Sequence, residues 1–172
     1  MGQSNLRREA ILKSLKKTSE PQKGTNLASE FAVTRQIIVK DIAILRAEGH
    51  NIIATPDGYI MKKNITNKIK KIIAVNHGID EVENELKMIV SYGGIIEDVI
   101  VEHPLYGEIR AMLMIRNLNE LNKFMKKFKE INAQPLSVLT GGVHIHTIST
   151  ESEEDMSNIL KELKKKQYLI SE

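Results

Sequence analysis

The chain of 172 residues is long enough for two small domains, and its 41% hydrophobic and 27% charged residues are typical of a soluble globular protein. It has no cysteine, which excludes disulfides and thiolate metal sites and makes a reducing cytoplasm the expected compartment. No apolar run approaches the roughly 18 residues of a membrane span, and the charged first eight residues indicate that there is no signal peptide.

The net charge of +3 is unevenly distributed. Residues 1–64 carry 11 Lys and Arg against 6 Asp and Glu, a balance of +5, whereas residues 65–172 carry 14 against 16, a balance of −2. The basic part is therefore the candidate for a polyanionic partner such as DNA. The alternative is an ordinary solvated surface, which charge alone does not reject.

Three short helices are predicted in the first fifty residues, and the last two are joined by a tight turn at Ala32 and Val33. Apolar residues at helical spacing place them at residues 6–17, from about residue 25, and from about residue 34 to 48. The predicted caps are Ser4 or Asn5, then Thr25, then Thr34. This is the helix-turn-helix pattern.

The third helix has the composition of a recognition helix. Ile38, Ile42 and Leu45 form its buried stripe. Its other faces offer Arg and Gln, which can make bidentate contacts to base edges, and Lys, which can reach phosphate. The predicted DNA-binding residues are Thr34, Arg35, Gln36, Val39, Lys40 and Ala43.

Two apolar runs, residues 52–54 and 59–61, flank a turn that contains Pro56 and Asp57-Gly58. A hairpin directly after the recognition helix is a wing, so residues 1–62 are predicted to form a winged helix-turn-helix DNA-binding domain. The alternative is a winged helix that binds only protein. Lys62 to Lys68 is polar and is predicted to be a linker.

Residues 69–172 are predicted to form a second domain of the α+β class. Strands are expected at residues 69–75, 95–102, 106–115 and around His144, with helices capped by Asp80 (capping box with Glu83) and by Asn117. The order β-α-β-β-α-β is that of the ferredoxin-like sandwich, with an added C-terminal helix (152–165) and a short strand (168–170). In that topology the first and third strands are central neighbours and the fourth pairs with the first.

Four residues of this domain form a candidate metal site. His144 and His146 project from the same face of one strand, about 7 Å apart, and His77 ends the first strand, beside the fourth. Glu85 lies at the edge of its helix's apolar stripe, where a cation would compensate its charge. Three imidazoles and a carboxylate suit a divalent transition metal such as Zn, Ni or Fe, with open positions for water or a ligand. The alternatives are histidines without metal and a Glu85 that reaches water or a lysine.

A third group, His103, Tyr106 and Arg110, lies at a strand–turn–strand junction and contains the ligand-binding candidates. Arg110 suits a carboxylate ligand, which it can bind bidentately. The alternative is a polar surface turn.

With these motifs laid out, the chain resembles the niacin-responsive transcriptional repressor family (NiaR), which joins a winged helix to a three-histidine (3H) domain. The stretches that carry the resemblance are residues 33–42, 51–59, 98–110 and 141–147. The resemblance implies a dimeric repressor of genes for NAD synthesis or niacin uptake, with nicotinate as co-repressor and operator DNA as partner. It also implies that His77, Glu85, His144 and His146 are the metal ligands.

Two other functions remain open at this stage. One is a metal-sensing repressor without an organic ligand. The other is a metal-dependent enzyme with a DNA-binding appendage, although the sequence contains no nucleotide loop or nucleophile motif, and we therefore expect that the protein is not an enzyme.

Overall fold

A computed structural model of the protein describes residues 3–61 and 68–170, and the chain divides into two compact units, Met1–Asn64 and Ile65–Glu172. The predicted linker at residues 62–68 lies outside the described residues except for Lys68. Among the described helices, none is long and apolar enough to cross a membrane.

The N-terminal unit is a helix-turn-helix followed by a hairpin. Its elements are α1 (Gln3–Lys17), α2 (Gly24–Glu30), α3 (Arg35–Ala47), β1 (Ile52–Thr55) and β2 (Gly58–Met61), with β1 and β2 antiparallel. One core joins all three helices to the hairpin, and its buried side chains include Ile11, Leu15, Leu27, Ile38, Ile42, Leu45 and Ile52. The predicted stripe of α3 is thus the stripe that is buried.

One of the three predicted caps in this unit is confirmed. The side chain of Thr34 accepts a hydrogen bond from the Ile37 amide at the start of α3. The cap predictions for the other two helices were wrong. Ser4 and Asn5 lie inside α1, which already includes Gln3, and Thr25 lies inside α2, whose N-cap is Lys23.

The wing has a third backbone partner that the sequence did not predict. The amide of Gln22 donates to the carbonyl of Tyr59 at 2.8 Å, and the Tyr59 amide donates back at 2.9 Å. Gly58 has φ +133°, and a Cβ there would lie 2.2 Å from the Gln22 carbonyl oxygen, so only glycine fits. The loop after α1 therefore holds the wing in place.

The C-terminal unit is an antiparallel sheet covered by helices. Its elements are β3 (Ile69–Asn76), α4 (Val82–Ser91), β4 (Ile95–His103), β5 (Gly107–Ile115), α5 (Leu118–Glu130), β6 (Val143–Thr150) and α6 (Glu153–Lys165). Side chains of all three helices and all four strands form a single buried core. The predicted α+β class, the β-α-β-β-α-β order and the added C-terminal helix are confirmed.

The strand order differs from our prediction in one respect. It is β3-β6-β4-β5, so the first and fourth strands pair as predicted, but the first and third are at opposite edges rather than central neighbours. The charged Lys70 and Lys71 of β3 suit an edge strand and are exposed there, whereas most of β6 is buried. The last strand of the unit therefore occupies the interior of the sheet.

The local predictions for this unit were partly correct. Asn117 caps α5 as predicted, and its side chain accepts a hydrogen bond from the Glu120 amide at 2.9 Å. The capping box at Asp80 was wrong, since a 3-10 turn (Ile79–Glu81) precedes α4 and its N-cap is Glu81. The predicted final strand is reduced to an isolated bridge between Leu169 and Val75, at the outer edge of β3.

Candidate metal centre and candidate nucleic-acid interface

The sheet brings the predicted histidines together. His144 and His146 project from β6, where they pair opposite Val75 and Ile73 of β3, and His77 follows the last residue of β3. The His144 ring centroid lies 4.9 Å from those of both His77 and His146, with edge-to-face geometry. The pairing of β3 with β6 therefore creates the three-histidine cluster.

Glu85 of α4 meets all three imidazoles. Its Oε2 lies 2.8 Å from His77 Nε2 and 3.3 Å from His144 Nε2, and its Oε1 lies 3.4 Å from His146 Nε2. The ligand atoms of His77, Glu85 and His144 all lie within 4.8 Å of one another. A metal about 2.1 Å from each ligand requires ligands about 3 to 4 Å apart, so small side-chain movements suffice to place one ion among them, with His146 next to this trio.

Every imidazole presents the same nitrogen to Glu85. The Nδ1 atoms of His77, His144 and His146 lie 2.9, 2.8 and 2.5 Å from the carbonyl oxygens of Gly78, Gly142 and Asp98. Because a carbonyl oxygen can only accept, each Nδ1 carries the proton, and in a neutral ring each Nε2 then offers a lone pair. Histidines that bind metals are fixed in this way by their second nitrogen.

The buried carboxylate of Glu85 requires a positive charge beside it. Its side chain is 1% exposed, and Oε1 has no hydrogen-bond partner among the described residues. Burial raises the pKa of Glu85, but the charge of His146 and hydrogen bonds from His144 and His77 lower it further, so the net pKa lies well below the usual range. The carboxylate is therefore ionised, and protons on the rings or a metal cation must balance its charge.

Gly142 packs closely against the backbone of His77, and the geometry of the candidate metal centre depends on this contact. It has φ +106°, and a Cβ there would lie 2.7 Å from the His77 carbonyl oxygen and 2.8 Å from Asn76 Oδ1. Its own carbonyl accepts the Nδ1–H of His144. Any larger residue would push the start of β6 away from the end of β3.

The three ligand-binding candidates do not form one contact group. His103 and Tyr106 lie at the tip of the β4–β5 hairpin with ring centroids 5.0 Å apart, and Tyr106 is 73% exposed. The Nδ1 of His103 accepts hydrogen bonds from the Leu105 and Tyr106 amides. Arg110 lies further along β5, where its Nε is 2.9 Å from Asp98 Oδ2 and its Nη2 donates to Thr147 Oγ1 at 3.3 Å.

Asp98 connects Arg110 to the histidine cluster and was missed by the sequence analysis. Its backbone carbonyl binds His146 Nδ1, its Oδ1 accepts from the Thr147 amide at 2.8 Å, and its Oδ2 pairs with Arg110. It lies at a register shift of β4 and is 2% exposed. Two adjacent acidic residues, Glu97 and Asp98, interrupt the apolar strand from Ile96 to Val101, and they were the available signal.

The predicted DNA-binding residues all lie on the surface of the N-terminal unit. Arg35, Gln36, Val39, Lys40 and Ala43 are exposed on α3, and Thr34 is exposed at its N-cap. Arg46 is also exposed, three residues after Ala43, and extends this face by one turn. We did not single it out from the sequence, although the same helical spacing predicts it.

A buried ion pair holds the recognition helix against α1. Asp41 of α3 is 2% exposed, its Oδ2 lies 2.6 Å from Arg7 Nε, and its Oδ1 lies 3.6 Å from Arg8 Nη1. The hydrogen bond that Arg7 donates to Asp41 raises the pKa of Arg7 despite partial desolvation. Asp41 falls one residue before Ile42 in the buried stripe, a position from which the sequence could have predicted an internal partner.

Comparison with known families defines the class of the protein. The family model of an HTH domain matches residues 7–60, and that of the 3H domain matches residues 70–172. The two matches correspond to the helix-turn-helix unit and to the unit that holds the histidine cluster. The class is that of DNA-binding regulators that carry a 3H domain.

Two relatives identify the family. The chain is 45% identical to a probable transcription repressor NiaR of Thermotoga maritima over 96% of this chain and 94% of that protein. It is 37% identical to the transcription repressor NadR of Bacillus subtilis, again over 96% of this chain and 94% of that protein. The chain belongs to the NiaR family of transcription repressors, and it is not an enzyme.

Proposed function

We propose that this protein represses genes for NAD synthesis or niacin uptake in the cytoplasm, with nicotinate as co-repressor and a divalent transition metal in the 3H domain. His77, Glu85, His144 and His146 are the proposed ligands of the metal, and Zn, Ni and Fe are the candidate ions. The observation that carries the metal is the common orientation of the three imidazoles, which bind backbone carbonyls through Nδ1 and turn their Nε2 atoms toward one buried carboxylate. A metal cation bound by these atoms would balance the charge of the buried carboxylate in place of protons on the rings.

The metal would supply a Lewis-acidic position for an anionic or nitrogen-containing ligand. Nicotinate has both a pyridine nitrogen and a carboxylate, which are suitable donors for such an ion. His103, Tyr106 and Arg110 are the proposed protein contacts of the ligand. A carboxylate bound by Arg110 would compete with Asp98 for the guanidinium, and the Arg110 side chain is 47% exposed and therefore reachable.

Operator DNA is the proposed partner of α3, through Thr34, Arg35, Gln36, Val39, Lys40 and Ala43. A homodimer would place two recognition helices on successive major-groove faces of one operator. Nicotinate would shift the dimer toward the arrangement that fits both half-sites. By linkage, nicotinate must then tighten DNA binding by the same factor as DNA tightens nicotinate binding.

Calorimetric titration of nicotinate into the full-length protein tests this proposal, first with the metal loaded and then after chelation. We expect saturable binding that chelation abolishes, and tighter binding of nicotinate-saturated protein to upstream DNA of niacin-uptake or NAD-synthesis genes. Binding that survives chelation would show that the metal does not hold the ligand. Absence of binding in both forms would refute the niacin assignment.

A metal-sensing repressor without organic ligand is the second candidate, and one observation favours it. The side chains of all four proposed ligands are at most 4% exposed, which leaves an organic molecule little direct access. In this case metal alone would bring operator affinity to its maximum, and nicotinate would add nothing. The DNA-binding assay with metal, with and without nicotinate, separates the two candidates.

A further inference from the structure

His77 differs from the other proposed ligands in how its backbone is held. His144 and His146 lie within β6, which pairs with strands on both sides, and Glu85 lies within α4. His77 follows the end of β3 and belongs to no helix or strand. The position of His77 therefore depends on contacts with residues outside the helices and strands.

Tyr168 holds this segment from the edge of the sheet. Its carbonyl accepts the Asn76 amide at 2.9 Å, one residue before His77, and its ring centroid lies 5.0 Å from the His77 ring. The Tyr168 amide in turn donates to the Leu163 carbonyl of α6 at 3.0 Å. Tyr168 is only 7% exposed, so its ring packs against His77 as part of the interior.

The other end of Tyr168 reaches the segment that carries Glu85. Its hydroxyl donates to the carboxylate of Glu81, and Glu81 is also bonded to Asn84 Nδ2 at 2.9 Å. Glu81 precedes Glu85 by four residues, which is one helical turn. Tyr168 therefore contacts both His77 and the segment that leads into the helix of Glu85. These two proposed ligands lie eight residues apart in the sequence.

We infer that Tyr168 is a positioning residue of the metal centre, which orients the His77 ring and ties it to the N-terminal end of α4. The inference rests on the proposed metal site and extends it to a residue near the C-terminus. Tyr168 would not touch the ion. It would restrict His77 to the orientation in which Nε2 faces Glu85, and so reduce the conformational freedom that is lost when the metal binds.

The test is a titration of the metal-free, full-length protein with Co²⁺, which reports both affinity and ligand geometry through its visible absorption. Residues that orient metal ligands typically contribute about 10- to 100-fold in affinity, so we expect Tyr168→Ala to weaken Co²⁺ binding at least about tenfold and to alter the spectrum. Tyr168→Phe keeps the ring but loses the bond to Glu81, and we expect a smaller loss.

Leu169→Ala is the matched control. Leu169 lies in the same segment, packs against the core of the unit and forms the bridge to Val75. We expect this variant to lower the unfolding temperature while leaving Co²⁺ affinity within about twofold and the spectrum unchanged. If Tyr168→Ala does not fold, Tyr168→Phe decides, because it must weaken Co²⁺ binding more than Leu169→Ala does.

Two results would overturn the inference while leaving the metal site intact. One is wild-type affinity and spectrum in Tyr168→Ala. The other is a loss of affinity in Tyr168→Phe no larger than in Leu169→Ala, which would make the role of the segment purely structural. If the wild-type protein itself binds no Co²⁺, the proposed metal site fails, and this inference fails with it.

Discussion

The Nε2 atom of His77 lies 2.8 Å from Oε2 of Glu85, and this contact joins the end of the first strand of the 3H domain to the buried face of its first helix. His77 follows the end of a strand and belongs to no helix or strand, whereas Glu85 lies inside a helix. A carboxylate in this position is stable only with positive charge beside it.

Glu85→Gln should abolish tight metal binding. The amide has nearly the shape of the carboxylate but neither its charge nor its strength as a ligand, and we expect a loss of more than about 100-fold in Co²⁺ or Zn²⁺ affinity. Glu83→Gln is the control, because Glu83 lies on the same helix, is exposed, and pairs with Lys129. Equal affinities of the two variants would contradict a metal site at Glu85.

Metal stabilisation should increase with pH. The burial of His77 and His146 lowers their pKa values, but Glu85 raises them further, to a net value above 6.5. In the metal-free protein their protonation therefore stabilises the fold below pH 6.5, and this contribution is lost as the pH rises through the raised pKa values. The depressed pKa of Glu85 adds a contribution that is present above pH 4.5 and is lost as the pH falls through the depressed folded-state pKa.

The metal-free 3H domain should therefore be most stable between about pH 4.5 and 6.5. Metal binding requires unprotonated Nε2 atoms, so the metal should add most stability above this range. Thermal unfolding at pH 5, 6.5 and 8, with and without Zn²⁺, measures the difference. A metal-induced increase in unfolding temperature that is the same at pH 5 and pH 8 would argue against histidine ligands.

Gly142→Ala should damage the metal centre, because the added Cβ would meet the His77 carbonyl at 2.7 Å. We expect lower stability and at least about a tenfold loss of metal affinity, as for other residues that orient ligands. Gly107→Ala is the matched control, since Gly107 also has positive φ, +69°, but a Cβ there meets nothing within 4 Å. In both variants alanine is forced into a backbone conformation with positive φ, which lowers stability. Only Gly142→Ala should also have a lower affinity for the metal.

Substitutions on α3 should separate sequence readout from phosphate contact. Gln36→Ala should reduce discrimination at one base pair by about 1 to 3 kcal/mol. Lys40→Ala should weaken binding to all sequences and lower the salt slope of the affinity by about one. Lys126→Ala, on an exposed face of α5, is the control. Fluorescence anisotropy with operator and scrambled DNA at several salt concentrations measures these effects, and unchanged binding in both α3 variants would exclude this face.

Asp41→Asn should destabilise the winged-helix unit. The substitution removes the charge partner of Arg7 and Arg8 from a position that is 2% exposed, and leaves those cations without compensation. We expect a lower unfolding temperature and, because α3 loses its tie to α1, weaker DNA binding. Glu48→Gln, at the exposed end of the same helix, should change neither. A variant as stable as wild type would show that the ion pair is dispensable.

Local patterns in the sequence were sufficient for the helix-turn-helix, the wing, the cap at Thr34 and the element order of the 3H domain. These features depend on residues close together in the chain, such as the stripe of Ile38, Ile42 and Leu45, or on strand alternation, which puts His144 and His146 on one face. The choice of His77 needed one tertiary assumption, the pairing of the first and fourth strands, and that pairing is present. Glu85 was chosen from its place at the edge of its helix's apolar stripe.

Only the tertiary structure decided the strand order, the partners of Arg110 and the contacts of Tyr168. Which strand occupies the interior of a sheet depends on how all strands and helices pack at once, and the interior position of β6 buries most of its residues, including the two histidines. The bonds from Arg110 to Thr147 and from Tyr168 to Glu81 join residues 37 and 87 positions apart. Helical and strand periodicity contains no information at such separations, because these contacts form only when the whole domain packs.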